Sequence, residues 1–374
     1  MIEAFKELIE TENCMEKFFN NYANEKVVLF GAGFSMYKLL DKLLEQNINI
    51  VAICDNNENK YGQKITNKLE VISFNESINL YPNAIYIISS HDYFWEIYNS
   101  LTKTLPKNQV CSIDFECAHY FYGYEFKKYF IDNINDFENI YNLFSDDESK
   151  ELFIQVLKAH FTGERKEFDK AFSGKEDWYL FNNLLKPESD STYIDCGAYD
   201  GDTILLFNKA AINGYKKIIA LEPDPDIQEK LKNTITNNGI KNIDMLKIGA
   251  FNTCTNLYFE QNGVYSNITT EEKINLSPKT IEIKVDCIDK IINNEKVDII
   301  KMDIEGAEYF ALNGAKETIL KNKPKLAICL YHNYEDFLRI PLLINEMNNN
   351  YKFYLKHQSS GCTDTILFAV DNKN

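Results

Sequence analysis

The chain has 374 residues, 45% of them hydrophobic, and a formal net charge of −16 from 56 acidic against 40 basic side chains. That length allows two domains with real cores. The acidic balance and a mean hydropathy of −0.35 weigh against broad binding to nucleic acid or anionic lipid, and no run of about eighteen apolar residues offers an integral membrane segment.

The N-terminus, MIEAFKELIETENCMEKFF, is amphipathic and acidic and lacks the basic start and apolar core of a signal peptide. Residues 26–55 then read as a βαβ unit. KVVLF (26–30) is a short buried strand, Gly31-Ala32-Gly33 makes the turn, Phe34–Glu45 has helical spacing, and INIVAICD (48–55) is a second strand ending in Asp55. LEVIS (69–73) and AIYIISS (84–90) predict two more strands, Tyr93–Thr102 a helix, and Gln109–Ile113 a last strand. Residues 1–115 are thus expected to form a small Rossmann-like domain. Its GAG turn is a weak motif. Asp55 is either a ribose-binding acid for a nucleotide or nucleotide-sugar, or a turn residue of a scaffold. His91, at a strand end, is either a crevice residue or surface decoration.

Residues 116–189 lack strand periodicity. YEFKKYFIDNINDFENIYNLF and DDESKELFIQVLKAHF carry apolar residues at helical spacing, with capping acids near Asp146 and Asp147. They predict a helical linker packed on the edge of a second sheet, whose aromatic stripe needs no ligand. Trp178 and Tyr179 either cement the boundary or close over a cofactor.

From about Asp190 the alternation returns, giving a domain over 190–374. Strands are expected at 192–196, 217–221 and 243–248. A hairpin-like excursion follows at 257–260 and 281–286, then strands at 297–303, 325–332, 351–357 and 364–370, the last two as an antiparallel edge pair. The most informative stretch is TYIDCGAYDGDT (192–203) with LEPD (221–224). A strand delivers Asp195 into a turn containing Gly197 and Gly201, a helix follows, and the next strand ends in Glu222. The interval from Gly201 to Glu222 is close to the roughly twenty residues between glycine turn and ribose acid in nucleoside-binding half-sheets. The turn is GAYDG, not GxGxxG. Asp195, Asp200 and Asp202 would crowd a pyrophosphate unfavourably but suit an ammonium and a sulfonium. That favours S-adenosylmethionine over NAD, with Asp195, Gly197, Gly201, Asp202 and Glu222 on the cofactor side. Another nucleotide, or an ordinary turn with Asp202 capping a helix, are the competing readings.

VDIIKMDIEGAEYFALNGAKETIL (297–320) is the second signal. Its strand brings Lys301 and Asp303 to a carboxyl end, where open α/β sheets bind ligands. Glu305 and Glu308 follow on the rim. Asp303 could hold or deprotonate a substrate hydroxyl; alternatively Lys301 and Asp303 form a local ion pair and Glu308 caps the helix. His332, ending KLAICLYH, is the best general-base candidate because imidazole titrates near neutrality, and His357 is a weaker one. Nine scattered cysteines without CxxC, and five histidines without HExxH, predict buried thiols in a reducing cytoplasm and no structural zinc. Without a compact ligand set, no metal is expected in the reaction, although Asp303, Glu305, Glu308 and His332 could assemble in space.

These motifs give the second domain a specific resemblance. YIDCGAYDGDT (193–203), IALEPD (219–224), IIKMDIEGAE (299–308), the P-x-L-x-I-x-x-Y-H pattern (324–332) and YLKHQSSGCTDTILFA (354–369) resemble the FkbM family of S-adenosylmethionine-dependent methyltransferases. The resemblance covers about 190–370. It implies a mostly parallel, doubly wound α/β domain and cofactor contacts by Asp195, Gly197, Gly201 and Glu222. It places IKMDIEGAE beside the active centre and implies O-methylation of a small-molecule or carbohydrate acceptor. N-methylation, or a noncatalytic cofactor-binding protein, are the alternatives. The N-terminal unit looks like a Rossmann-like module of sugar-modifying proteins. The acceptor, the oligomeric state and the identity of the base stay open at this point.

Overall fold

Lys26–Phe30 (β1) and Thr192–Cys196 (β5) are apolar strands, each starting one sheet. The computed structural model describes residues 2–90, 93–114, 122–174, 178–179, 181, 183–260, 267–269 and 280–371. They fall into two units. The first lies within Met1–Glu138, Glu151–Ser173 and Ser359–Thr363, the second within Asn139–Lys150, Gly174–Gln358 and Asp364–Asn374. Each unit is therefore built from discontinuous stretches of chain, and the helices of 116–189 divide between them.

In the first unit, β1, β2 (Asn49–Cys54), β3 (Val71–Ile72) and β4 (Ile85–Ile88) form a parallel sheet in the order β3-β2-β1-β4. Strand residues on both faces are buried, Val27, Leu29, Ile53 and Ile87 on one side and Val28, Phe30, Cys54 and Tyr86 on the other. Helices such as Phe34–Glu45 and Phe94–Thr104 supply the covering apolar faces. The expected strand at Gln109–Ile113 does not form. A 3₁₀ turn, Lys107–Gln109, leads into isolated bridges at Tyr86–Val110 and Ile113–Glu164, so the chain touches the sheet edge and leaves it. The aromatic stripe of the helical region is core: Phe126, Phe130, Phe137, Phe153 and Phe161 are buried, with ring centroids 5.0 Å apart for Phe130–Phe137 and 5.3 Å for Phe126–Phe161.

The second unit has a seven-stranded sheet in the order β14-β15-β13-β12-β5-β6-β7. Its strands are β5, β6 (Lys217–Leu221), β7 (Ile243–Leu246), β12 (Ile299–Met302), β13 (Lys325–Cys329), β14 (Tyr351–His357) and β15 (Thr365–Asp371). The four pairings from β13 to β7 are parallel, whereas β15 runs antiparallel to both β13 and β14. β5, β12 and β13 are buried along nearly their whole length, as expected of strands covered by helices on both faces. The outer edge of β14 is capped by the start of helix Asp147–Thr162 and the residues before it: Ser145 N–H donates to Phe353 O at 2.9 Å, and Leu355 N–H donates to Ser149 Oγ at 3.0 Å. The excursion is a separate four-stranded sheet, β10-β9-β11-β8, made of β8 (Gly249–Ala250), β9 (Thr255–Glu260), β10 (Asn267–Thr269) and β11 (Thr280–Asp286). From β5 the chain proceeds to β6 and β7 on one side, then returns to β12 and β13 on the other. The switch point lies between β5 and β12, where open α/β sheets leave a crevice beyond the strand ends.

Candidate active site

The carboxyl ends of β5, β6, β12 and β13 bring the predicted residues into that one region. Parallel pairing sets Lys301 of β12 opposite Asp195 of β5. Their side chains share a face, with Lys301 Nζ 3.1 Å from Asp195 Oδ1 and both groups buried. Lys301 also donates to Gly197 O at 2.7 Å, and the Thr203 hydroxyl donates to Asp195 Oδ2. Burial pulls the ammonium's pKa down, but Asp195 and Asp303 outweigh it and hold Lys301 above the ordinary lysine value. Lys301 is a fixed cation, and its ion-pair partner is Asp195 rather than Asp303. Asp195, wholly buried, braces the glycine turn from beneath.

Gly197 sits where that turn crosses β12. Its φ is +78°, and a Cβ there would lie 1.9 Å from Asp303 O, so only glycine fits. Gly201 serves a different contact: a Cβ would press on Leu231 and Thr234 at 3.1 and 3.2 Å, where the turn packs on helix Pro225–Asn237. Asp202 opens helix Asp202–Ala210, and its Oδ1 accepts from Thr203 N–H at 2.6 Å. Glu222, one residue beyond β6, spans the turn: Oε2 accepts from Tyr199 N–H at 3.1 Å and Oε1 from Asp224 N–H at 2.9 Å. Burial raises its pKa to about 7 against the pull of those two backbone donors.

Asp303 follows β12. Its Oδ1 accepts from the Tyr331 hydroxyl at 2.9 Å and its Oδ2 from the Tyr179 hydroxyl at 3.3 Å. Burial would raise its pKa, but Lys301, His332 and the tyrosine hydroxyl together lower it below the ordinary aspartate value. His332 lies among three acids: Nδ1 is 2.9 Å from Glu308 Oε1, and Nε2 is 3.5 Å from Glu305 Oε2 and 3.6 Å from Asp303 Oδ1. Burial pulls the imidazole down, but Glu308, Glu305 and Asp303 prevail and raise it to about 10. In this arrangement His332 carries its proton at neutrality, unlike the free base its sequence position suggested. Glu305 is held at φ +57°, a left-handed conformation that non-glycine residues seldom adopt. Burial and its acidic neighbours raise its pKa to about 8, partly offset by His332. Glu308 is fully buried; its Oε1 also accepts from Ile304 N–H at 2.8 Å, closing the turn before helix Glu308–Asn313.

Two site residues were not evident as such in the sequence. Tyr331 carried a signal only through its place before His332 at a strand end. Tyr179 reads as boundary cement, yet its hydroxyl reaches Asp303. His357 is buried within β14, with Nδ1 2.8 Å from Thr365 Oγ1. His91 lies outside the described residues. In the first unit, Asp55 Oδ2 accepts from Ala32 N–H at 2.7 Å and from Lys60 Nζ at 2.8 Å, while Lys60 Nζ also donates to Ala32 O at 3.1 Å. The acid thus ties the GAG turn to Lys60. Among the described residues no helix is long and apolar enough to cross a membrane.

Comparison with known proteins agrees with this layout. Residues 195–353 match the methyltransferase FkbM domain, and residues 23–110 match the C2185-like N-terminal domain. No curated protein matches the chain. A crystal structure of methyltransferase FkbM from Methylobacillus flagellatus KT is similar in fold, with a TM-score of 0.74 at 20% identity over 99% of this chain and 94% of that one. An rRNA methylase from Streptococcus thermophilus shares 13% identity over 52% of this chain and 92% of its own, with a TM-score of 0.33. Aeropyrum pernix fibrillarin, solved with natively bound S-adenosyl-L-methionine, shares 10% identity over 53% and 75%, with a TM-score of 0.31; these two are too distant in shape to carry an argument. Residues 195–353 are thus similar to the methyltransferase FkbM domain, and residues 23–110 to a separate C2185-like N-terminal domain.

Proposed function

We propose that the second unit is an S-adenosylmethionine-dependent O-methyltransferase acting on a small hydroxylated acceptor, a carbohydrate or a related molecule. The observation that carries this reading is Asp303: a carboxylate kept ionised at the strand-end crevice, flanked by two tyrosine hydroxyls and adjoining the glycine turn. The cofactor fits the residues present. Glu222 stands at the end of β6 with both oxygens oriented by backbone donors, placed to accept from ribose hydroxyls. The ionised Asp303, with Glu222 across the crevice, suits an ammonium and a sulfonium and would repel a pyrophosphate. When bound, S-adenosylmethionine supplies the activated methyl group.

The chain's own residues supply alignment and proton handling. The Lys301–Asp195 pair and Gly197 fix the turn and therefore the cradle. Asp303 accepts the hydrogen bond of the acceptor hydroxyl and takes its proton, while Tyr331 and Tyr179 hold the carboxylate in place. His332 anchors Glu305 and Glu308 around the pocket. An oxygen acceptor is supported by this hydroxyl-binding geometry and by the resemblance to a family that methylates varied small molecules and sugar chains. The first unit carries no reaction in this reading; it binds or positions the acceptor, a nucleotide-sugar being one candidate. Cys54, Cys111, Cys196 and Cys329 are buried thiols, which supports a cytoplasmic setting.

A screen of hydroxylated acceptors with isotopically labelled methyl donor tests the proposal. The expected product carries the label on oxygen. Asp303→Asn should lower kcat by about 10²–10⁴ while leaving cofactor affinity within a few-fold. Label on nitrogen, or an Asp303→Asn enzyme of unchanged kcat, would overturn it.

A further inference from the structure

We propose that Asp303, Glu308 and His332 hold a divalent cation at the carboxyl ends of β12 and β13, with Glu305 at its edge. Each of the three offers one ligand atom, and these atoms all lie within 4.8 Å of one another. The sequence leaves the set open, since Asp303 and Glu308 come from one strand-to-helix turn and His332 from beyond the next strand. The fold assembles it.

Two features point to a ligand rather than to a closed hydrogen-bonded cluster. Glu308 is fully buried and accepts from Ile304 N–H through Oε1, leaving Oε2 buried without a hydrogen-bond partner, and His332 Nδ1, 2.9 Å from Oε1, is in the same state. A buried carboxylate oxygen left in that state is costly unless something completes it. The second feature is spacing. His332 Nε2 lies 3.6 Å from Asp303 Oδ1 and 3.5 Å from Glu305 Oε2. These separations exceed a hydrogen bond and match those between neighbouring ligands about 2.1 Å from a shared ion. The contact between Glu308 and Nδ1 also turns Nε2 toward Asp303 and Glu305. Oxygen donors with one imidazole suit Mg²⁺ or Mn²⁺ more than a thiolate-type ion, and binding would displace the proton that His332 carries in the metal-free protein. Such an ion would stand at the same strand ends as the acceptor and act on its oxygen as a Lewis acid; that consequence rests on the preceding reading, whereas the binding site itself does not.

The test is a titration of metal-stripped, full-length protein with MnCl2, followed by calorimetry and by the electron paramagnetic resonance of the ion. One saturable site per chain is expected, with spin-echo modulation from an imidazole nitrogen. Asp303→Asn and Glu308→Gln should each weaken it about 10–100-fold. Asp147→Asn, whose side chain is 95% exposed, should leave it unchanged and so separates it from loose binding to an acidic surface. Absence of saturable binding, absence of nitrogen modulation, or equal affinity in folded Asp303→Asn would overturn the site. The nitrogen signal needs no variant, so a misfolded mutant does not block the decision. Saturable binding without methyl transfer in the acceptor screen would keep the site and sink the transfer reading. Transfer by stripped enzyme that shows no Mn²⁺ site would do the reverse.

Discussion

Replacing Lys301 with methionine keeps the length of the side chain and removes its charge. Lys301 and Asp195 face each other across two paired strands with side-chain exposures of 3% and 0%, so solvent screens neither. Without Lys301, Asp195 loses its cation and keeps hydroxyl contacts such as that from Thr203, and the Gly197 carbonyl loses its 2.7 Å donor. Breaking one side of a buried pair costs about 3–5 kcal/mol. At about 2–4 °C per kcal/mol for a domain of this size, the second unit's Tm should fall by roughly 6–20 °C in scanning calorimetry. The double variant Lys301→Met, Asp195→Asn removes the stranded charge and should recover a large part of that loss, because the penalty belongs to the uncompensated carboxylate. A single variant within about 1 kcal/mol of the parent, or a double variant no better than the single, would refute the claim that this pair braces the turn.

Other outcomes follow from the same geometry. Gly197→Ala must accept both a left-handed backbone, worth about 1–2 kcal/mol, and the clash with Asp303 O. Gly214→Ala has φ +84° with nothing within 4 Å and meets the backbone term alone, so thermal shifts of equal size in the two variants would count against the clash. Glu222 has a folded pKa of about 7, above its unfolded value of about 4.3. Between these values the unfolded chain binds fewer protons, so this group's contribution makes stability fall as pH rises from about 4.5 to 7 and level off above. Because ribose hydroxyls need an ionised acceptor, S-adenosylmethionine affinity should rise through pH 7, and Glu222→Gln should flatten that rise in calorimetric titrations; a flat profile in the parent would dismiss the ribose role. Tyr331→Phe removes a hydrogen bond to a charged acceptor, about 1.5–3 kcal/mol, and should lower kcat/KM roughly 10–100-fold with cofactor affinity unchanged. Loss of both together would mean that Tyr331 supports the fold instead.

The sheets were legible because buried parallel strands are written as continuous apolar runs. KVVLF, TYIDC and KIIAL begin and end in the structure where their apolar residues do. Gln109–Ile113 has the same local character, but a strand also needs an open sheet edge beside it, and that is a tertiary property. Turn chemistry was legible too: Gly197, Gly201 and Glu305-Gly306 take the positive φ values that such turns require. The side-chain pairings were less so. Lys301 and Asp303 share strand parity, which suggests an ion pair, yet the alignment of β12 with β5 gives Lys301 to Asp195. His332 reads as a base because free imidazole titrates near neutrality, whereas three acids from a separate turn surround it. No local pattern encodes that enclosure.

The loop Ser359–Thr363 joins two strands of the second unit but is itself part of the first. There Ser360 Oγ accepts from Arg165 Nη2 at 2.8 Å, and Cys362 packs with Ala159 and Phe168. During synthesis the rest of the first unit leaves the ribosome by about Ser173, while these last residues follow only after the whole second sheet up to β14. At about 5–20 residues per second, the N-terminal unit waits roughly 10–40 s for its final piece. A ribosome-stalled chain ending at Gln358 should therefore show weaker hydrogen-exchange protection around Ala159–Phe168 than the full chain; equal protection would mean that the loop adds nothing. The first unit is thus completed only after most of the second has been made.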